Sequence, residues 1–454
     1  MSVDRSRLPE LGPHPSFRPP EFRCSTLSNG VAIWTAAHHR ARVLTLRLLL
    51  PVGSADDPVD QLGLAALTAD VLDEGTCNLT DVGLHAALTR IGAHLGVGVS
   101  SDATILTLAT LSKHAVEAMA LLVDIAVHPR FDPDDCARVR DLRLNRLLQM
   151  RQVPAAVADR VFIESLYRDH PYGHLAVGTD TSLRALDSSD ISVFHDRWYR
   201  PAAWTLLAVG DLSDDALLRV ARTELETVSW PTSSAEPDIA SRLQEPTPIA
   251  ERLVFVPRQG AVQSEVRLGH TGVSRASPDY HALLVLNMVL GGQFVSRINL
   301  NLREDKGYTY GARTSFDYRV GRGPFVFRSS VQTSATVNAM REVITELRAI
   351  REDRPPSERE LTVARDALTR GFPLGLETAT QVSLAGTTLA LHGLPSDEMD
   401  RFVERVMAVD AEAVVTAARA HLHPENLLAV VVGSPDDVLP SLGDLGLGEP
   451  ALVG

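Results

Sequence analysis

In the stretch "NLREDKGYTYGA" an arginine and a tyrosine, Arg303 and Tyr310, stand seven positions apart. A guanidinium and a phenol both donate hydrogen bonds to a carbonyl oxygen, and donors aimed at a developing oxyanion are a major catalytic effect. Arg303 ends a helix-like run, Gly307 reads as its C′ residue, and Tyr308-Thr309-Tyr310 reads as the start of a strand. That placement predicts Tyr308 and Tyr310 on one face. On residue type alone the commoner roles are plainer: an arginine that complements a helix dipole and a strand tyrosine in a core. A second group is acidic. Asp70, Asp73 and Glu74 have i, i+3, i+4 spacing, and their oxygens suit Mg²⁺ or Ca²⁺ better than zinc. Three acids at a helix end are more often a solvated surface. The fifteen histidines offer no pair with convincing ligand spacing: His38-His39 lie in a polar loop, and His170 and His174 flank a "PYG" turn.

The elements that must position these groups alternate along the chain. "GVAIWTAAHH" and "VLTLRLLLPVGSADD" read as strands, succeeded by helical patterns over 60–73 and 80–92. "HLGVGVS" and "ATILTLATLS" are two further strands joined by a polar turn. "HAVEAMALLVDIAVHP" is an amphipathic helix stopped at Pro129, a long helix runs from Pro133 to about Gln152, and "PAAWTLLAVGDLS" is a buried strand. "SWPTSSAEPDIASRLQEPTP", rich in Pro and Ser, reads as a linker. The C-terminal part of the chain repeats the first half. "WTLLAVGDLSDD" has its counterpart in "NLLAVVVGSPDD", with Pro201 and Pro424, and Gly210 and Gly433, each 223 positions apart. The helix-into-glycine pattern of "LGLAALTADVLDEG" recurs in "YHALLVLNMVLGG". The expectation is an α+β chain of two homologous domains, each a mostly antiparallel sheet flanked by helices. Its divisions are a lead-in over 1–20, a first domain over 21–228, a linker over 229–248 and a second domain over 249–450.

Bulk properties exclude several classes. A chain of 454 residues is too long for one ordinary core. Its formal charge of −13, with no Lys/Arg block, disfavours a nucleic-acid or anionic-membrane partner. The N-terminal segment carries prolines and charges where a secretory signal has an apolar run, and no run of eighteen apolar residues occurs. Cys24, Cys77 and Cys136 are too far apart for a disulfide framework or a zinc ribbon. A cytoplasmic protein is the expectation.

Five stretches together, spread over most of the chain, resemble the pitrilysin/insulinase-type metallopeptidases, in particular the half-size mitochondrial-processing-peptidase-like branch. They are "GLAALTADVLDEGT", "HPYGHLAVGTDTSLRAL", "FHDRWYRPAAWTLLAVGDLS", "VPRQGAVQSEVRLGHTGV" and "VLGGQFVSRINLNLREDKGYTYGARTSF". The resemblance implies paired α+β domains that form half of a clamshell around a peptide chamber.

In that family an inverted H-x-x-E-H motif holds and uses a catalytic zinc, because histidines at i and i+4 share one helix face. Mapped onto the frame Gly63-Leu64-Ala65, the first histidine is Ala66, the glutamate Ala69 and the second histidine Asp70. The distal glutamate ligand falls in "DLRLNRLLQMR", which has none; Asn145 or Arg146 takes its place. The resemblance thus implies no metal in this chain. By contrast, Arg303 and Tyr310 match the family's Arg/Tyr pair, which binds the substrate carbonyl opposite the zinc, with the glycine hinge "LGGQF" just upstream. Where the family has an Asn-Ala pair on a substrate-binding edge strand, this chain has Gly96 and Val97; Tyr308 joins them as an expected substrate contact. The leading expectation is a non-catalytic subunit of a heterodimer. A homologous chain bearing H-x-x-E-H would hold the Zn²⁺, and this chain would supply Arg303 and Tyr310 to cleave a peptide. The rivals are a structural or peptide-binding pseudopeptidase, and a homodimer using a metal at Asp70, Asp73 and Glu74.

Overall fold

The computed structural model describes residues 17–199, 203–228 and 239–453. Two six-stranded sheets are formed. The first contains β1 (Arg23–Thr26), β2 (Ala32–Ala37), β3 (Val43–Leu50), β4 (His94–Val99), β5 (Thr104–Leu111) and β6 (Thr205–Gly210), in the order β1-β2-β6-β3-β5-β4. The second contains β7 (Leu253–Pro257), β8 (Gln263–Thr271), β9 (Ala312–Phe316), β10 (Pro324–Gln332), β11 (Leu428–Gly433) and β12 (Ala451–Leu452), in the order β12-β7-β11-β8-β10-β9. Among the described residues parallel pairing is confined to β2–β6, β7–β11 and β7–β12. The two orders match from the second strand onward, and β6 and β11 are themselves 223 positions apart. The fold is the expected α+β arrangement, two like sheets flanked by helices. Of the Pro/Ser-rich stretch, 229–238 lie outside the described residues, as do Pro201 and the first sixteen positions.

Helices of the first half are α1 (Leu64–Val71), α2 (Asp81–Arg90), α3 (Ala115–Val127), α4 (Pro133–Gln152), α5 (Pro154–Tyr167), α6 (Asp180–Ala185), α7 (Ser188–Trp198) and α8 (Asp214–Leu225). Next come α9 (Ile239–Leu243), α10 (Tyr280–Leu290), α11 (Arg297–Asn299), α12 (Thr336–Ala349), α13 (Glu358–Gly371) and α14 (Ala379–Leu391). The last three are α15 (Glu398–Met407), α16 (Ala411–His421) and α17 (Pro435–Leu442). Their ends obey local chemistry: α4 opens with Asp132 accepting from the Asp134 N–H and with Pro133 at the first position, where no amide is needed.

Central strands β6 and β11 are buried along almost their whole length, so each sheet is covered on both faces. One face of each sheet is closed by helices of its own half. The other is closed by a helix from the opposite half. Helix α5 lays Ala158, Val161 and Phe162 against Val254, Val326, Leu428 and Val430 of the second sheet. Helix α14 lays Ala379, Val382 and Leu389 against Ala36, Leu49, Leu207 and Val209 of the first. Gly386 of α14 lets the helix settle onto Leu207 and Phe22, since a Cβ there would lie 2.6 and 2.4 Å from their side chains.

Candidate functional site

The frame "GLAALTADVLDEGT" folds as α1 and then a single 3₁₀ turn over Leu72–Glu74. Its entry is held from outside. The wholly buried Asp57 carboxylate accepts from the Gly63 and Ala65 amides, both at 2.7 Å, and from His174 Nε2 at 3.2 Å. Gly63 has a left-handed φ of 97° and packs against Gly178, with no room for a side chain between them. Two of the stretches that carry the family resemblance therefore touch each other at this point.

Beyond the entry, Ala66 and Ala69 are buried methyl groups with no donor atom. Asp70 is ion-paired to Arg143 of α4. The Arg143 side chain is 8 % exposed; it also donates to the Ala66 carbonyl at 3.2 Å and to the Ala176 carbonyl at 2.9 Å. The structure thus brings Arg143 to the place opposite α1, whereas Asn145 and Arg146 both face solvent. The acidic trio does not converge either. Asp70 belongs to Arg143, Glu74 to Arg138, and burial with the Glu74 charge alongside pushes the Asp73 carboxyl above its usual range. Among the described residues no cluster of three or more His, Cys, Asp or Glu is placed to hold a metal ion. A zinc ion does not fit here: two of the positions lack donors and a fixed cation already occupies the third carboxylate.

The Arg303 and Tyr310 segment is built differently from its sequence pattern. After α11 the backbone widens into a π-helical turn over Leu300–Asp305, with the Lys306 amide reaching back to the Asn301 carbonyl at 3.0 Å. Such wide turns concentrate at functional sites, and nothing in the apolar spacing announces this one. Gly307 does adopt the left-handed φ of a C′ glycine, 67°, letting the Tyr308 amide reach the Leu302 carbonyl at 2.8 Å. The strand expected from Tyr308 begins only at Ala312. The intervening turn is closed by Thr309 Oγ1, which accepts from the Gly311 amide at 3.1 Å and donates to the Ser330 carbonyl at 2.7 Å. Tyr308 packs on the second core and Tyr310 is 92 % exposed, yet both border one cavity. Arg303 lies over the Phe294 ring, 4.1 Å to its centroid, and meets Glu304 at 3.3 Å.

Arg303 and Tyr310 line the same cavity of about 350 Å³, with Gln263 and Gln332. Tyr310 also lines a larger one of about 540 Å³. The start of the wide turn is anchored by Arg297 of α11, which clasps Glu360 of α13 at 2.6 and 2.9 Å and caps the Arg354 and Pro355 carbonyls. Hydrogen bonds from Arg297 outweigh burial and hold the Glu360 carboxyl down at about 2. The first "LGGQF" glycine has a packing role. Gly291 is bound to β9 through the Thr314 amide at 3.0 Å, and its missing side chain permits the close approach of that strand.

Two family profiles match consecutive parts of the chain: insulinase (peptidase family M16) over residues 32–180, and peptidase M16 inactive domain over residues 185–368. The chain belongs to the insulinase, or M16, peptidase family. It is 24% identical over 412 residues to an uncharacterized zinc protease of Mycobacterium tuberculosis, covering 90% of this chain and 93% of that protein. It is 23% identical over 387 residues to a non-peptidase homologue from Helicobacter pylori, covering 84% and 87%. The crystal structure of a peptidase M16 inactive domain from Pseudomonas fluorescens superposes with a TM-score of 0.81 at 24% identity, covering 91% of this chain and 98% of that one.

In this M16 chain β4 forms the edge of the first sheet beside α1. Gly96 is exposed on it with open space around its Cα, and Val97 turns toward the core. Gly96 and Val97 thus belong to the first sheet, beside α1, while Arg303, Tyr308 and Tyr310 lie in the segment that leads into β9 of the second. The two halves meet at a buried polar cluster that sequence reasoning missed. Tyr172 of the "HPYGH" stretch donates to Asp102 at 2.6 Å and accepts from the Gly321 amide at 2.9 Å; Asp102 also accepts from the Val320 amide at 3.0 Å. Arg242 of α9, 2 % exposed, pairs with both Asp56 and Asp102. Burial still raises the Asp56 carboxyl above its ordinary range, with Arg242 working against it. Arg242 therefore anchors the described end, residues 239–248, of a stretch whose composition reads as a spacer. No helix among the described residues is long and apolar enough to cross a membrane.

Proposed function

We propose that this M16 chain is the non-catalytic half of a two-chain peptidase, organised as the two domains 21–228 and 249–450 and working in the cytoplasm. A homologous chain with an intact H-x-x-E-H would hold the Zn²⁺ and supply the activated water. Arg303 and Tyr310 of this chain reach the substrate carbonyl oxygen from the other side, as hydrogen-bond donors toward the developing negative charge. One contrast carries the reading. Arg143 pairs with Asp70, the position that the resemblance gives to a zinc ligand, yet Tyr310 stands 92 % exposed at an open cavity that Arg303 also lines. A tyrosine kept only for packing has no reason to stand clear of the core. The test is co-expression with an H-x-x-E-H homologue from the same organism. The pair is expected to cleave peptides that neither chain cleaves alone, and Arg303→Ala or Tyr310→Phe should lower kcat about 100-fold, the usual scale for one oxyanion donor. Full activity of the partner alone sinks the proposal.

A second reading is a pseudopeptidase that binds peptide or scaffolds an assembly without any catalytic part. The non-peptidase homologue from Helicobacter pylori and the arginine-filled site favour it. It expects no cleavage with any partner.

A further inference from the structure

The wall of the larger cavity, about 540 Å³, is a rung of three arginines. Strand register sets Arg328 of β10 directly opposite Arg267 of β8 on one side and Arg313 of β9 on the other. Three guanidiniums thus start from adjacent strands within about 10 Å, two inter-strand spacings. Like charges directly opposite one another destabilise a sheet. Asp159, from the first turns of α5, relieves two of them: it lies 2.7 Å from Arg267 and 3.2 Å from Arg328. Burial works to raise the Asp159 carboxyl, but the two arginines outweigh it and hold it below the usual range. Glu265 takes a second bond from Arg267 at 3.0 Å. Arg313 is exposed at the cavity wall and makes no ion pair among the described residues. Three cations face two carboxylates, and the surplus charge sits next to Tyr310.

The fold itself does not demand this rung. The matching rung of the first sheet is Arg47–Thr107–Gly96, with one arginine only. Arg313 therefore occupies in β9 the place that Gly96 occupies in β4. Nor is β9 free to pair with an added strand, because its Ala312 amide is taken by Asn299 Oδ1 and its Thr314 amide by the Gly291 carbonyl. A ligand here must be held by side chains.

We propose that Arg313, backed by Arg328 in this cavity, binds a carboxylate of an extended peptide beside Tyr310, making the chain selective for acidic peptides. The carboxylate comes either from an Asp or Glu side chain or from a free peptide C-terminus, and both present the planar pair of oxygens that a guanidinium fits. This site rests on the peptide-handling reading above but needs no partner chain.

The experiment uses the full chain alone and fluorescence anisotropy of labelled decapeptides. One set compares Asp- or Glu-containing peptides with their Asn and Gln counterparts; the other compares free with amidated C-termini. A carboxylate in at least one set is expected to tighten binding about tenfold, the scale of one charge-assisted bond. Arg313→Ala should abolish that gain and Arg313→Glu should turn the preference toward Lys peptides, with the unfolding midpoint of both variants checked against the parent. Equal binding of acidic and neutral peptides, or an acidic preference that survives Arg313→Ala in a folded variant, overturns the proposal. Because the assay contains no partner, a negative result leaves the in-trans cleavage test standing, and loss of cleavage in that test leaves this one standing.

Discussion

The guanidinium of Arg143 and the carboxylate of Asp70 form an ion pair that joins α4 to α1. The arginine also satisfies the Ala66 and Ala176 carbonyls, so it supports the helices as well as filling the space.

Zinc binding should be recoverable, but only with the arginine removed. Ala66→His with Asp70→His places two imidazoles one turn apart on α1, and adding Arg143→Glu supplies a third ligand. The triple variant is expected to retain close to one zinc per chain after dialysis, by elemental analysis. The double variant that keeps Arg143 should retain none.

Arg242 neutralises two buried carboxylates, and removing one partner of such a cluster leaves uncompensated charge. Arg242→Met is expected to cost about 3–5 kcal/mol in urea unfolding. Arg242→Lys should recover little of it, because an ammonium cannot span Asp56 and Asp102 as a planar fork does.

The Arg297–Glu360 clasp gives an acid dependence with a definite sign. Glu360 is held at about 2, below the 4.5 of the free carboxyl. Its stabilising contribution is therefore complete above pH 4.5 and disappears as the pH falls through 2. Thermal unfolding of Glu360→Gln should lie below that of the parent at pH 6, and the two midpoints should converge toward pH 2.

Gly386→Leu would drive a side chain into Phe22 and Leu207 where even a Cβ has no room. The expected cost is about 1–3 kcal/mol, the range for overpacking. A calorimetric scan at neutral pH would show it as a lowered midpoint.

Much of the fold could be read from the chain because local signals agreed with it. Helix α4 runs from Pro133 to Gln152 as expected, since Asp132-Pro133 opens it and Pro154 bars its continuation. Strands β4 and β5 alternate, and β6 and β11 are continuous apolar runs that repeat at a fixed spacing. The site was harder. Successive residues of a helix turn by about 100°, so a shift of two positions is enough to replace exposed Asn145 with buried Arg143. The wide turn at Leu300–Asp305 follows directly on Arg297, whose anchor Glu360 lies outside any local window, and the Thr309 turn delays the strand to Ala312. The Arg242 cluster draws on residues spread from Asp56 to Gly321, with a Pro/Ser-rich segment around its centre.

The exchanged helices α5 and α14 have a consequence for how the molecule is made. The first sheet lacks the lid for one of its faces until residue 391 has left the ribosome, although its own strands are finished by residue 210. Over that interval Ala36, Leu49, Leu207 and Val209 present an uncovered apolar surface, the kind of intermediate that aggregates or recruits chaperones. Two separately produced halves would each carry a stranded helix and a bare sheet. Complementation between fragments would then require both to be synthesised together.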